Sequence, residues 1–131
     1  MTSMSYTQAR ELVDNAVAIA SEKQVSISVA VCDAHGELLA FARMDDASLH
    51  SGELAQTKAY TSARDRQPSG QLGAWARSTG KDISYWSDPK ITGFMGGVPV
   101  LVNEPVAGGI GISGLSEEDD EALAYQAIGQ A

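Results

Sequence analysis

Apolar residues recur at helical spacing near the start of the chain. Ala9, Leu12, Val13, Ala16, Ile19 and Ala20 share one face of a helix that Thr7 can cap and that runs to about Lys23. At Val25 the period changes to two. Val25, Ile27, Val29 and Val31 alternate with Ser26, Ser28, Ala30 and Cys32, the signature of a strand. Asp33-Ala34-His35-Gly36 supplies turn residues, and Glu37 to Arg43 forms the return strand of a hairpin. Ser48 or Ser51 starts a second helix through about Arg64, with Leu49, Leu54, Ala55, Lys58, Ala59 and Ser62 at helical spacings, and Pro68-Ser69-Gly70 breaks it.

Residues 71–97 lose this regularity. A short helix is expected over Gln71 to Arg77, then a loop punctuated by Pro89, Gly93, Gly96 and Gly97. Two strands follow, Val98 to Val102 and Val106 to Ile112, joined at Asn103-Glu104, and a last helix covers Ser116 to Gln130. The order is helix, hairpin, helix, irregular loop, hairpin, helix. Short connections imply a largely antiparallel sheet with helices packed on it, an α+β fold of the profilin-like kind in a single domain over residues 1–131.

The run Gly108-Gly109-Ile110-Gly111-Ile112-Ser113-Gly114 predicts a buried strand whose backbone passes close to something. Ser116 and Asp119 fit a capping box, and Glu117, Glu118, Asp119 and Asp120 suit the positive end of a helix. Residues 109–114 also match GxGxxG. A dinucleotide site needs that motif after the first strand, with a further parallel strand beyond it, whereas only one helix follows here.

Composition narrows the classes. Apolar residues make up 44% and charged residues 20%, as in ordinary globular proteins. A net charge of −8 with scattered basic residues argues against nucleic acid and anionic membranes. No window suits a bilayer span, and Arg10, Glu11, Asp14, Glu22 and Lys23 interrupt the first residues where a signal peptide needs an apolar core. Cys32 is the single cysteine, so neither an internal disulfide nor a cysteine-based metal cluster is expected, and a reducing, cytoplasmic setting is.

Few residues carry candidate chemistry. His35 lies in the hairpin turn and reads as a solvated turn residue. His50 stands at the start of the second helix with Glu53 three positions later. That spacing either shares a proton or a metal, or simply dresses a helix terminus. Lys58 sits among small residues, Thr57-Lys58-Ala59-Tyr60-Thr61-Ser62-Ala63, where it either snorkels outward or holds a carboxylate from a partly buried position. Trp75, Tyr85, Trp86, Phe94 and Met95 concentrate the large apolar side chains in the irregular segment, as in a ligand surface, a core plug or a subunit contact. Ser113 lacks the Gly-x-Ser-x-Gly setting of a nucleophile elbow, and the acids at 117–120 lack EF-hand spacing.

Taken in order, several segments together resemble the GlcG/HbpS family. They are Val29-Ala30-Val31-Cys32-Asp33-Ala34-His35-Gly36, Phe41-Ala42-Arg43-Met44-Asp45, Lys58-Ala59-Tyr60-Thr61-Ser62-Ala63, Gly96-Gly97-Val98-Pro99-Val100, and Gly109-Ile110-Gly111-Ile112-Ser113-Gly114 with Asp119-Asp120-Glu121. The resemblance spans roughly residues 7–130. It implies a profilin-like fold, a symmetric homo-oligomer and haem or a related tetrapyrrole as a possible ligand. It also implies a place in small-molecule catabolism. The haem-binding members are expected to ligate through a histidine near the N-terminal helix, and residues 1–34 contain none. The cofactor is therefore left open.

Three functions are carried forward. In the first, an oligomeric protein binds a small ligand through Asp45, Trp75, Tyr85, Trp86, Phe94, Met95, Gly96 and Gly97, with Arg64, Arg66, Arg77 and Lys81 as a basic rim. In the alternative, a lyase, isomerase or tautomerase acts on a carbonyl or carboxylate compound. Lys58 or an arginine then anchors the carboxylate, His50, Glu53 or Asp45 moves a proton, and glycine N–H groups near 96–97 and 108–111 receive an enolate or oxyanion. A third possibility is a purely structural assembly subunit.

Overall fold

A computed structural model describes residues 3–129. Four strands, β1 (Ser28–Asp33), β2 (Leu38–Arg43), β3 (Gly97–Leu101) and β4 (Val106–Ser113), form one sheet in the order β2-β1-β4-β3, antiparallel throughout. Helices α1 (Tyr6–Glu22) and α4 (Glu117–Ala127) cover one face. Helix α2 (Ser51–Asp65) crosses the other, with α3 (Ser69–Thr79) beside it. The α+β architecture follows the sequence expectation.

The expected boundaries shift for local reasons. Ser5, not Thr7, caps α1, because Gln8 lies three residues on and returns the bond: Gln8 N–H donates to Ser5 Oγ at 3.1 Å and Ser5 N–H to Gln8 Oε1 at 2.9 Å. Thr7 would need an acceptor at Arg10. Ser116 caps α4 by accepting from Asp119 N–H, but only that half of the capping box forms. The break after α2 lies earlier than expected. Arg66 turns left-handed at φ +60° and Pro68 stands at the entry to α3, so Ser69 and Gly70 already belong to that helix.

Strand β1 is buried on both faces. Val29 and Val31 join Ile110, Ile112, Val98 and Val100 in the larger core, against Val13, Ala16 and Ala20 of α1 and Leu123, Ala124 and Ala127 of α4. Ala30 and Cys32 face Ala55, Ala59 and Ala63 of α2. The close partner predicted for the glycine strand is α2 itself. A Cβ on Gly111 would run into the Ala55 carbonyl, and one on Gly109 into Ser62 Oγ.

Candidate functional site

Lys58 lies near the middle of α2, pointing inward, and is only 1% exposed. Its ammonium donates to Asp120 Oδ2 and to the Ile112 carbonyl, each at 2.9 Å. The other Asp120 oxygen accepts from Leu115 N–H at 3.0 Å. Burial pushes the Asp120 carboxyl upward in pKa, while Lys58 pulls it down. The cation expected to anchor a substrate carboxylate therefore meets an internal one, in a pair joining α2, the end of β4 and α4.

Near its C-terminal end the irregular segment is tied to three side chains, Thr61, Glu117 and Ser69. Thr92 N–H donates to Thr61 Oγ1 at 3.0 Å, and Met95 N–H donates to Glu117 Oε1 at 3.0 Å. Ser69 Oγ donates to the Phe94 carbonyl at 2.7 Å and accepts from Gly97 N–H at 2.9 Å. The expected aromatic residues separate into distinct places. Trp75 and Trp86 meet edge to face with centroids 5.8 Å apart. Phe94 is 51% exposed and stands with Ile83, Ile91, Arg77 and Glu117 around a groove of about 450 Å³. Tyr85 is 69% exposed, and Met95 packs over Gly70.

Gly96 and Gly97 are buried against Lys58 of α2, and the Gly97 N–H is taken by Ser69. Gly108 to Gly111 sit within the central strand, between β1 and β3 and beneath α2. Neither set lies open to a substrate oxyanion, because sheet pairing and helix packing already cover them. The basic rim is dispersed as well. Arg77 lines the groove, Arg64 lies over the Tyr60 ring, and Arg66 donates to the Val106 carbonyl at 3.2 Å.

A second groove, of about 330 Å³, opens where α2 passes the β1–β2 turn. Glu53 lines it, together with Glu37, Gln56, Thr57, Tyr60 and Lys90. Tyr60 Oη donates to Asp88 Oδ2 at 2.6 Å, while Arg64 and Lys90 lie 5.3 and 5.6 Å from its ring centroid. The bond to Asp88 holds the Tyr60 phenol above its ordinary range and Asp88 below its own. Cys32 also borders this groove, but its thiol donates to the Ala59 carbonyl at 3.3 Å and burial pushes it up to about 12. It stays a neutral thiol.

His50 occupies the exposed N-cap of α2 without a side-chain cap bond, and no hydrogen bond joins it to Glu53. His35 is exposed in the hairpin turn, where Asp33 Oδ1 accepts from His35 N–H and Glu37 N–H. Asp45 lies exposed in the turn after β2. The second groove was not anticipated from the sequence. Its signal was available in the spacing of Glu53, Gln56, Thr57 and Tyr60, a polar stripe at positions i, i+3, i+4 and i+7 of one helix.

Comparison with known proteins places these features in context. Residues 4–129 match the family model described as haem degrading protein HbpS-like. Protein GlcG of Escherichia coli K12 is 34% identical over 94 residues, which cover 72% of this chain and 69% of that protein. Corrinoid adenosyltransferase PduO of Salmonella typhimurium LT2 is 33% identical over 127 residues, 95% of this chain but only 38% of that protein. A crystal structure of a PduOC:haem complex superposes with a TM-score of 0.88 at 32% identity, covering 99% of this chain and 96% of that one.

Proposed function

The chain belongs to the HbpS-like family, and from that premise we propose that it binds a planar tetrapyrrole of the haem type. The observation that carries this reading is the likeness, over nearly the whole chain, to a structure solved with haem. The groove beside α3 supports it. Phe94, Ile83 and Ile91 offer an apolar face, and Arg77 offers a planar donor pair for a propionate.

The residues present suit the macrocycle better than an imidazole-ligated iron. Both histidines lie outside this groove, in the β1–β2 turn and at the start of α2. When bound, haem would bring the redox and ligand chemistry of its iron. The chain's own part is to stack Phe94 on the ring and to neutralise a carboxylate through Arg77. With Lys58 held by Asp120 and His50 free of Glu53, binding without turnover is the function this arrangement favours.

Self-association belongs to the same proposal. Leu38 and Phe41 on edge strand β2 and Leu49 just before α2 remain exposed, as apolar residues at a subunit contact would in a lone chain. No described helix is long and apolar enough to cross a membrane.

A haemin titration followed by absorbance tests the reading. The expected result is a saturable Soret shift at stoichiometric haemin, weakened about tenfold or more in Phe94→Ala and Arg77→Ala. His50→Ala and His35→Ala are expected to bind as the parent does. Absence of a saturable shift would remove haem. Loss in a histidine variant alone would move the site to that histidine.

A further inference from the structure

The groove beside α3 draws its lining from residues 73–94 with a single exception, Glu117, which comes from the first turn of α4. We infer that Glu117 is a positioning residue for this groove: from α4 it clasps the backbone that carries Phe94 and so fixes the groove's aromatic wall. Its role toward a ligand rests on the tetrapyrrole reading. The clasp itself stands on the bond from Met95 N–H to Glu117 Oε1 at 3.0 Å.

The Phe94 wall needs an outside hold. Residues 91–96 form neither helix nor strand, and Phe94 N–H donates only to its neighbour Thr92, at 3.3 Å. Phe94 is half exposed, so packing does little to place its ring and the backbone on either side decides where it stands. On one side, a Cβ on Gly73 would run into the Gly93 carbonyl, so α3 lies directly against the stretch. On the other, Met95 N–H is taken by Glu117. Ser69 joins the two walls by donating to the Phe94 carbonyl, but Ser69 belongs to α3 and moves with it. Glu117 brings a tie from a different helix.

The anchor is itself rigid. Ser116 accepts from Asp119 N–H at 3.2 Å, and Leu115 N–H donates to Asp120, whose other oxygen meets buried Lys58. The chain is therefore fixed on both sides of Glu117, and only the side-chain torsions remain to be ordered. An acid here also suits the helix dipole, yet its neighbours behave differently. Glu118 and Asp119 are exposed, whereas Glu117 is half-buried with an oxygen on the amide of another element. A carboxylate accepting a backbone N–H makes a stronger bond than a neutral acceptor does.

The test measures amide hydrogen exchange by NMR, then haemin binding, on the full parent chain, Glu117→Ala and Glu117→Gln. Glutamine keeps a side-chain carbonyl oxygen that can still accept from Met95 N–H. Glu117→Ala is expected to speed exchange of the Met95 amide about tenfold or more, while Val29 and Ile110 in the sheet keep their protection. The same variant should bind haemin about tenfold more weakly, and Glu117→Gln should restore both properties. General destabilisation would not give this pattern, since it would lower protection across the sheet as well. Three results would overturn the inference. Met95 could exchange at the parent rate in Glu117→Ala. Glutamine could fail to restore its protection. Glu117→Ala could bind haemin as tightly as the parent or more so, which would make Glu117 a bystander or a charge that repels the propionate. Should the parent take up no haemin, the haem reading falls, and Met95 exchange still decides the clasp.

Discussion

The two faces of the sheet are buried by opposite means. Beneath α1 and α4 the strands present Val29, Val31, Val98, Ile110 and Ile112, and burial there removes apolar area from water at about 25 cal/mol per Å². Beneath α2 the same strands present Gly109, Gly111, Ala30 and Cys32, and the helix answers with Ala55, Ala59 and Ala63. That contact gains from closeness rather than from bulk. One face should therefore tolerate modest changes in volume, and the other should tolerate none. The close face also sets both grooves, because α2 settled on glycine carries Glu53 and Tyr60 to the β1–β2 turn and Thr61 to the aromatic segment.

The strongest way to break this contrast is Gly111→Ala. The added methyl would meet the Ala55 carbonyl and Ala59 N–H, backbone atoms in mid-helix that cannot swing aside. A loss above about 4 kcal/mol is expected, enough to leave a marginal domain largely unfolded. Urea denaturation checks it, and a native-like midpoint would refute the close-contact account. Second is Lys58→Ala, which leaves Asp120 buried without its cation and should cost about 3–5 kcal/mol. Lys58→Met with Asp120→Leu should recover most of that loss, since apolar side chains of similar size need no partner. Failure of the double variant to recover would mean that the Ile112 and Leu115 backbone bonds matter more than the charges. On the opposite face, Ile110→Val should cost only about 0.5–1.5 kcal/mol by the same assay, which sharpens the comparison directly.

This asymmetry explains what the sequence discloses. Period-two Val and Ile give β1, and the glycine run of β4 announces a close neighbour, because both are local consequences of side-chain size. The neighbour's identity was not legible, since nothing local links Gly111 to Ala55. Lys58 was ambiguous for the same reason. Small flanking residues fit either an inward or an outward lysine, and only Asp120, 62 positions away, decides the direction. The aromatic segment looked like one surface because its large residues cluster along the chain. Fixed at Thr61, Ser69 and Glu117, it instead spreads Trp86, Tyr85 and Phe94 over separate exposures.

The smallest expected effect concerns the contact that joins the aromatic segment to the open side of α2. Tyr60 donates to Asp88 at 2.6 Å, and both groups are partly solvated, so Tyr60→Phe should cost no more than about 1 kcal/mol at neutral pH. Its pH dependence is more diagnostic than its size. Asp88 is held below its ordinary value of 3.8, so the folded chain releases that proton more readily than the unfolded one. The resulting stability is present above about pH 3.8 and lost as pH falls through the lower folded value. Tyr60 is held above its ordinary value of 10.0, so its share is complete below that pH and lost as pH rises through the folded value. Denaturation midpoints of the parent and Tyr60→Phe should therefore converge at both extremes and differ most between them. A constant gap at every pH would mean that the phenol acts through packing alone.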